Sequence, residues 1–108
     1  MTLEYFRNQI HEELDGARKY IDKAIEVKPK HRAWSMMFAK MADMEADHAG
    51  NLMRIFEECI KSKDFSDMTH IDPATGATTN SDPNVLYKDL MKDFGETMTY
   101  VTNMKRGL

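Results

Sequence analysis

The chain has 108 residues, 42% hydrophobic and 31% charged, with a formal net charge of −3, which fits one small globular domain and excludes the basic surface of a nucleic-acid binder. No run of about 18 apolar residues offers a membrane span, and Met1-Thr2-Leu3-Glu4-Tyr5-Phe6-Arg7 lacks the apolar core of a signal peptide, so a cytoplasmic location is expected. The single cysteine, Cys59, excludes an intrachain disulfide and falls at an apolar position, where it reads as a small buried hydrophobe.

The first predicted element is a helix over Leu3–Val27. Its apolar stripe is Leu3, Phe6, Ile10, Glu13, Ala17, Tyr20 and Ala24, in steps of three and four. One carboxylate, Glu13, interrupts it. A second stripe through Ile10, Leu14, Ala17 and Ile21 is also open, and it would leave Glu13 at the edge of the buried face. The segment Glu26-Val27-Lys28-Pro29-Lys30-His31 follows. Proline cannot continue a helix interior, so Pro29 predicts a tight reversal.

The second helix is predicted over 31–61. Its stripe is Trp34, Phe38, Met41, Glu45, His48, Leu52, Ile55 and Cys59. Glu45-Ala46-Asp47-His48 is a Glu-x-x-His, whose carboxylate and imidazole leave one face of a helix. With eight glutamates and four histidines in the chain, the pattern arises by chance about 0.3 times. Its weight comes from its place on an apolar stripe, where burial is expected and an unpaired carboxylate is costly. A transition metal between facing helices is one partner that resolves this.

Folded back at Pro29, the two helices place equidistant residues at one height. Glu13 lies 16 positions before Pro29 and Glu45 lies 16 after it. Glu13, Glu45 and His48 then share one layer, about 24 Å from the turn. The same register pairs Tyr20 with Phe38 and Ile10 with His48, but two seven-residue repeats that match once match throughout, so this is one coincidence. Met36, Met37, Met41 and Met44 cluster at helical spacing on this helix. They offer soft thioethers to Cu(I), although filling core between helices is the plainer reading.

A polar stretch over 63–82 follows, with Asp72-Pro73, Gly76, Asn80 and Asp82-Pro83 as turn formers. Its middle, 74–81, is expected to be mobile. Ser81 or Asp82 can cap a third helix over Pro83–Lys105. That helix has a seam of Tyr87, Met91, Phe94, Met98 and Val101, while Asp89, Asp93 and Glu96 lie off the seam. The predicted class is therefore all-α: an antiparallel helical hairpin (1–62), a polar loop (63–82) and a C-terminal helix of the same domain (83–108).

The third helix supplies no carboxylate or histidine to the layer. A carboxylate-bridged di-iron bundle needs a Glu from each of two helices and a Glu-x-x-His from each of two more. One chain offers half of this set, and two chains paired about a two-fold axis would offer all of it.

These residues resemble the ferritin-like superfamily. The run Glu13-Leu14-Asp15-Gly16-Ala17-Arg18-Lys19-Tyr20, with Glu45-x-x-His48-Ala49 beginning 32 positions after Glu13, is similar to ferritins and rubrerythrins. The nearest likeness is to the encapsulated ferritins, short chains whose metal site forms where two subunits meet. It covers about residues 3–60 and includes the acidic run Glu12-Glu13-Leu14-Asp15. The resemblance implies a ferritin-like four-helix bundle completed by dimerisation, a ring of dimers, and a ferroxidase that oxidises Fe(II) with dioxygen at two iron ions per dimer. It implies Glu13, Glu45 and His48 as catalytic metal ligands, Tyr20 as an outer group, and Glu12 and Asp15 as an acidic entry site. Lys19 stands where that family places an aromatic. The C-terminal Asn103-Met104-Lys105-Arg106-Gly107-Leu108 does not resemble a tail that directs such proteins into a protein shell.

Plainer readings stand beside these. Glu45 and His48 can form a polar contact at a bundle end, Tyr20 can be a half-buried ring with its hydroxyl at the edge, and Glu12 and Asp15 can be a solvated face. His11 is placed to pair with Asp15 at i,i+4, and His31 and His70 fall in a turn and a loop. Manganese or zinc could replace iron. Two other functions remain open: a structural or assembly module whose carboxylates set register, and a di-iron or di-manganese protein that handles peroxide.

Overall fold

The computed structural model describes residues 1–66, 69–71, 78–80 and 82–108. Three helices run in chain order, α1 (Leu3–Val27), α2 (Arg32–Ser62) and α3 (Pro83–Lys105), with strands β1 (Thr69–Ile71) and β2 (Thr78–Asn80) between α2 and α3. Thr2 caps α1, its side chain accepting the Tyr5 N–H at 3.0 Å. The chain reverses through Lys28-Pro29-Lys30, closed by the His31 N–H on the Val27 carbonyl at 2.8 Å. Lys63 ends α2 in the left-handed conformation with φ 56°. Asp82 caps α3 by accepting the Asn84 N–H at 2.9 Å, with Pro83 in the first turn, where its missing N–H costs nothing.

The all-α class holds, and a short antiparallel ladder pairing Thr69 with Asn80 is added to it. The turn formers of this stretch predict only a polar loop there, although Thr and Ile favour strand. Of the loop centre expected over 74–81, residues 74–77 and 81 lie outside the described residues, and Thr78–Asn80 form β2. Among the described residues no helix is long and apolar enough to cross a membrane.

The core tapers along the hairpin. Near the loop end, Leu3, Phe6, Ile10 and Leu14 of α1 pack with Ala49, Met53, Phe56 and Cys59 of α2 and with Leu86 and Leu90 of α3. The Phe6 and Phe56 rings meet edge to face at 4.9 Å. Near the turn the buried side chains are mostly small, with Ala17, Ile21 and Ala24 against Ala42 and Val101. Small contact residues let helix axes approach.

This packing corrects the predicted seams. In α1, Leu14 and Ile21 are buried in place of Glu13 and Tyr20, so the second of the two stripes is the core. In α2 the buried set is Ser35, Ala42, Ala46, Ala49, Met53, Phe56 and Cys59. Only Cys59 of the expected stripe belongs to it. In α3 the buried positions are Leu86, Leu90, Thr97 and Val101 rather than Tyr87, Met91, Phe94 and Met98. The methionines expected as core filler, Met36, Met37, Met41 and Met44, are all exposed. The cause is common to these differences. α2 is apolar on two faces, and the hairpin turns Ala42, Ala46, Ala49, Met53 and Phe56 inward and leaves Trp34, Met37, Met41 and Ile55 outward.

Candidate metal centre

Glu13 lies on the rim of α1, one position before the buried Leu14. Glu45 and Ala46 stand in the same relation on α2. The two rims meet on the side of the hairpin away from its core, and His48 joins them one turn after Glu45. One ligand-type atom from each of Glu13, Glu45 and His48 lies within 4.8 Å of the other two, the one such group among the described residues. The fold-back at Pro29 thus brings together the three residues it was expected to bring together. They are less buried than their place on an apolar stripe predicts: the His48 side chain is 51% exposed and that of Glu13 21%.

Two carboxyl groups and an imidazole crowd together here. His48 Nδ1 lies 3.3 Å from Glu13 Oε2. Glu45 shares a hydrogen bond with Glu13, and this bond, then burial, then the Glu13 charge push its carboxyl from 4.5 up to about 7. A carboxyl with that property near neutral pH is a proton-bearing partner of Glu13. Two carboxylates forced together hold a proton because both cannot ionise cheaply. A divalent cation can take that proton's place.

Gly16 contributes in a way sequence reasoning missed. A Cβ at Gly16 would lie 3.1 Å from Glu45 Oε2 and 3.3 Å from its Cδ. The absent side chain is the space into which the Glu45 carboxylate folds. The available signal was a glycine in a helix interior, which costs about 1 kcal/mol relative to Ala and so calls for a reason.

An open cleft of about 590 Å³ leads to Glu45, lined by Glu12, Asp15, Gly16, Lys19 and Tyr20 among others. The residues considered for the entry site and the outer tyrosine therefore share one surface with the carboxylate group. The Tyr20 ring is half-buried and stacks on Phe38 at 6.3 Å, as the register pairs them. Lys19 brings an ammonium into that cleft in place of the aromatic expected from the resemblance.

Other candidates fall elsewhere. His11 pairs with Asp93 of α3 at 3.2 Å, not with Asp15. His31 stacks on Trp34 at 3.8 Å, and the side chain of His70 lies outside the described residues. Met37 and Met41 share an apolar recess of about 360 Å³ with Trp34 and Phe38, whereas Met36 lines a different cleft. The four methionines thus do not form one thioether cluster. Cys59 is buried, as expected.

Among protein-family models, one described as Rubrerythrin matches residues 4–103. No curated protein and no solved structure matches the chain.

Proposed function

The chain belongs to the rubrerythrin family, within the ferritin-like superfamily, and from that premise we propose that it is a di-iron protein with ferroxidase activity, its centre assembled from Glu13, Glu45 and His48 of two chains. The observation that carries this reading is the convergence of those three side chains on the outer side of the hairpin. Two chains facing each other there supply four Glu and two His, the ligand complement of a carboxylate-bridged di-iron bundle.

Two further features support pairing. The stripe flanking the group is apolar and unburied, with Trp34 53%, Met37 64% and Ile55 49% exposed. A run of large exposed apolar side chains marks an interaction surface. The radius of gyration is 17.1 Å, against about 13 Å for a compact domain of this length. The chain has the shape of a slab with one face uncovered. A ring of such dimers is the larger assembly this reading extends to.

Iron is the substrate in this reading, bound as Fe(II), oxidised with dioxygen as electron acceptor and passed on as Fe(III). The glutamates provide hard oxygen donors and His48 an imidazole, a set that suits iron and admits manganese or zinc. Four carboxylates balance two divalent ions, which makes a filled site neutral. The chain's own contribution begins with protons: Glu45 gives up the one it shares with Glu13, and the Glu13–His48 contact opens. Glu12 and Asp15 attract cations to the cleft, Lys19 opposes them, and Tyr20 lies beside the path to Glu45.

The test is anaerobic addition of Fe(II) followed by oxygen, with ferric absorbance read for the wild-type chain and for Glu45→Ala. Rapid oxidation by the wild type and none above background by the variant, at equal helicity, is the expected result. Equal rates in the two would overturn the assignment.

A further inference from the structure

A second recess lies at the turn between α1 and α2, apart from the carboxylate group. This cleft of about 400 Å³ is lined by Lys28, Arg32, Ser35, Lys40, Asp43 and Lys105 among others. Four cationic side chains and one acidic side chain line it, together with Leu108, in a chain of net charge −3. Two of the four are committed. Lys28 Nζ donates to the Gly107 carbonyl at 3.0 Å, and Lys105 Nζ donates to both carboxylate oxygens of Asp43, each at 3.0 Å. Arg32 and Lys40 have no ion pair or side-chain hydrogen bond among the described residues.

The surroundings anchor the backbone that carries these two charges and leave the charges uncompensated. Ser35, 2% exposed, donates to the Ala24 carbonyl at 2.6 Å and fastens the first turn of α2 against α1. That turn contains no acidic residue, and its cap, His31, makes no side-chain hydrogen bond. The positive end of the helix dipole therefore adds to the field of Arg32. Arg32 and Lys40 are two turns apart, about 12 Å along the axis, a separation that two long side chains can close from either end.

We propose that this cleft binds a small oxyanion of the phosphate class, gripped by the Arg32 guanidinium and the Lys40 ammonium. A guanidinium presents a planar fork that matches two oxygens of a phosphate, and an ammonium adds a point charge. Arg32 and Lys40 lie on the side of α2 away from Trp34, Met37, Phe38 and Met41, which line a separate recess. The cleft thus stays open when the apolar face is covered, and the inference does not depend on the iron chemistry.

The experiment is calorimetric titration of the full, iron-free chain with inorganic phosphate at fixed ionic strength, with chloride as the control anion and helicity checked for every variant. Saturable binding at one site per chain is expected. Arg32→Gln and Lys40→Gln should each weaken it about tenfold. Asp43→Asn should tighten it, because the cleft loses its carboxylate and Lys105 is released. Lys30→Gln, in the turn but not lining the cleft, should leave it unchanged. A parallel titration with a nucleoside monophosphate separates the sources: equal binding assigns recognition to the phosphate group wherever it is carried, and binding of inorganic phosphate alone assigns it to the free anion. Absence of saturable binding, equal binding of chloride, or phosphate binding unaltered in the Arg32→Gln/Lys40→Gln double variant would each overturn the proposal.

Discussion

Gly16 and Glu45 are complementary across the hairpin: the position a Cβ would take on Gly16 lies 3.1 Å from Glu45 Oε2. A helix glycine is thus the space for a candidate ligand. Gly16→Ala should gain up to about 1 kcal/mol of helix stability while displacing the carboxylate by a few tenths of an ångström. The metal-free melting temperature should hold or rise, and iron oxidation should slow about tenfold, since small misplacements of reacting groups are expensive. Melting curves and stopped-flow ferric absorbance on the same preparation check both halves.

The Glu45 carboxyl titrates near 7 in the folded chain, above its ordinary 4.5, chiefly through its hydrogen bond with Glu13. Between these values the folded chain binds more protons than the unfolded one, so this group's stabilisation is full below about 4.5 and is lost as pH rises through about 7. Metal-free wild type should therefore lose stability over that window, and Glu45→Gln should lose less. Metal binding competes with the proton, so iron affinity should rise through the same window. Parallel pH–melting profiles for the two proteins would contradict the coupling.

Glu13→Ala and His48→Ala should each reduce oxidation by about 10²-fold or more, because removing even an outer partner of a metal ligand costs 10- to 100-fold. Neither should unfold the chain. Glu13 and His48 lie outside the buried set of their helices, and Ala is the strongest helix former. Circular dichroism beside the kinetic assay separates loss of the site from loss of the fold.

Met37 and Met41 line an apolar recess with Trp34 and Phe38 on the face that carries Glu45 and His48. Met37→Glu places a charge on that face without touching the chain's own core. The variant should remain helical, sediment as a monomer and lose oxidation activity. An unchanged mass with unchanged activity would remove this face from the assembly.

The helix ends and the meeting of Glu13, Glu45 and His48 were legible in the sequence because both follow from local rules. Pro29 fixes the turn, Pro83 and Asp82 fix the start of α3, and equal distances from a turn fix a layer. The buried face was not legible. Glu13 and Leu14 are neighbours in sequence and differ by about 100° around the helix, so stripes shifted by one residue overlap at Ile10 and Ala17. In α2 the ambiguity is greater, because Trp34, Phe38 and Met41 outweigh Ala42, Ala46 and Ala49 in hydrophobicity although the alanines form the contact. Periodicity reports apolar faces and not which neighbour covers each of them. The His11–Asp93 contact joins α1 to α3 and depends on how the third helix docks, which no local rule fixes.

The most direct test of the proposed shared di-iron centre is native mass spectrometry of the chain before and after anaerobic Fe(II), counting iron per assembly. Two iron ions per pair of chains are expected, lost together with the pairing in Met37→Glu. Iron held by single chains, or a stable dimer that takes up none, would contradict it and leave Glu13, Glu45 and His48 as residues that set the register of a structural assembly.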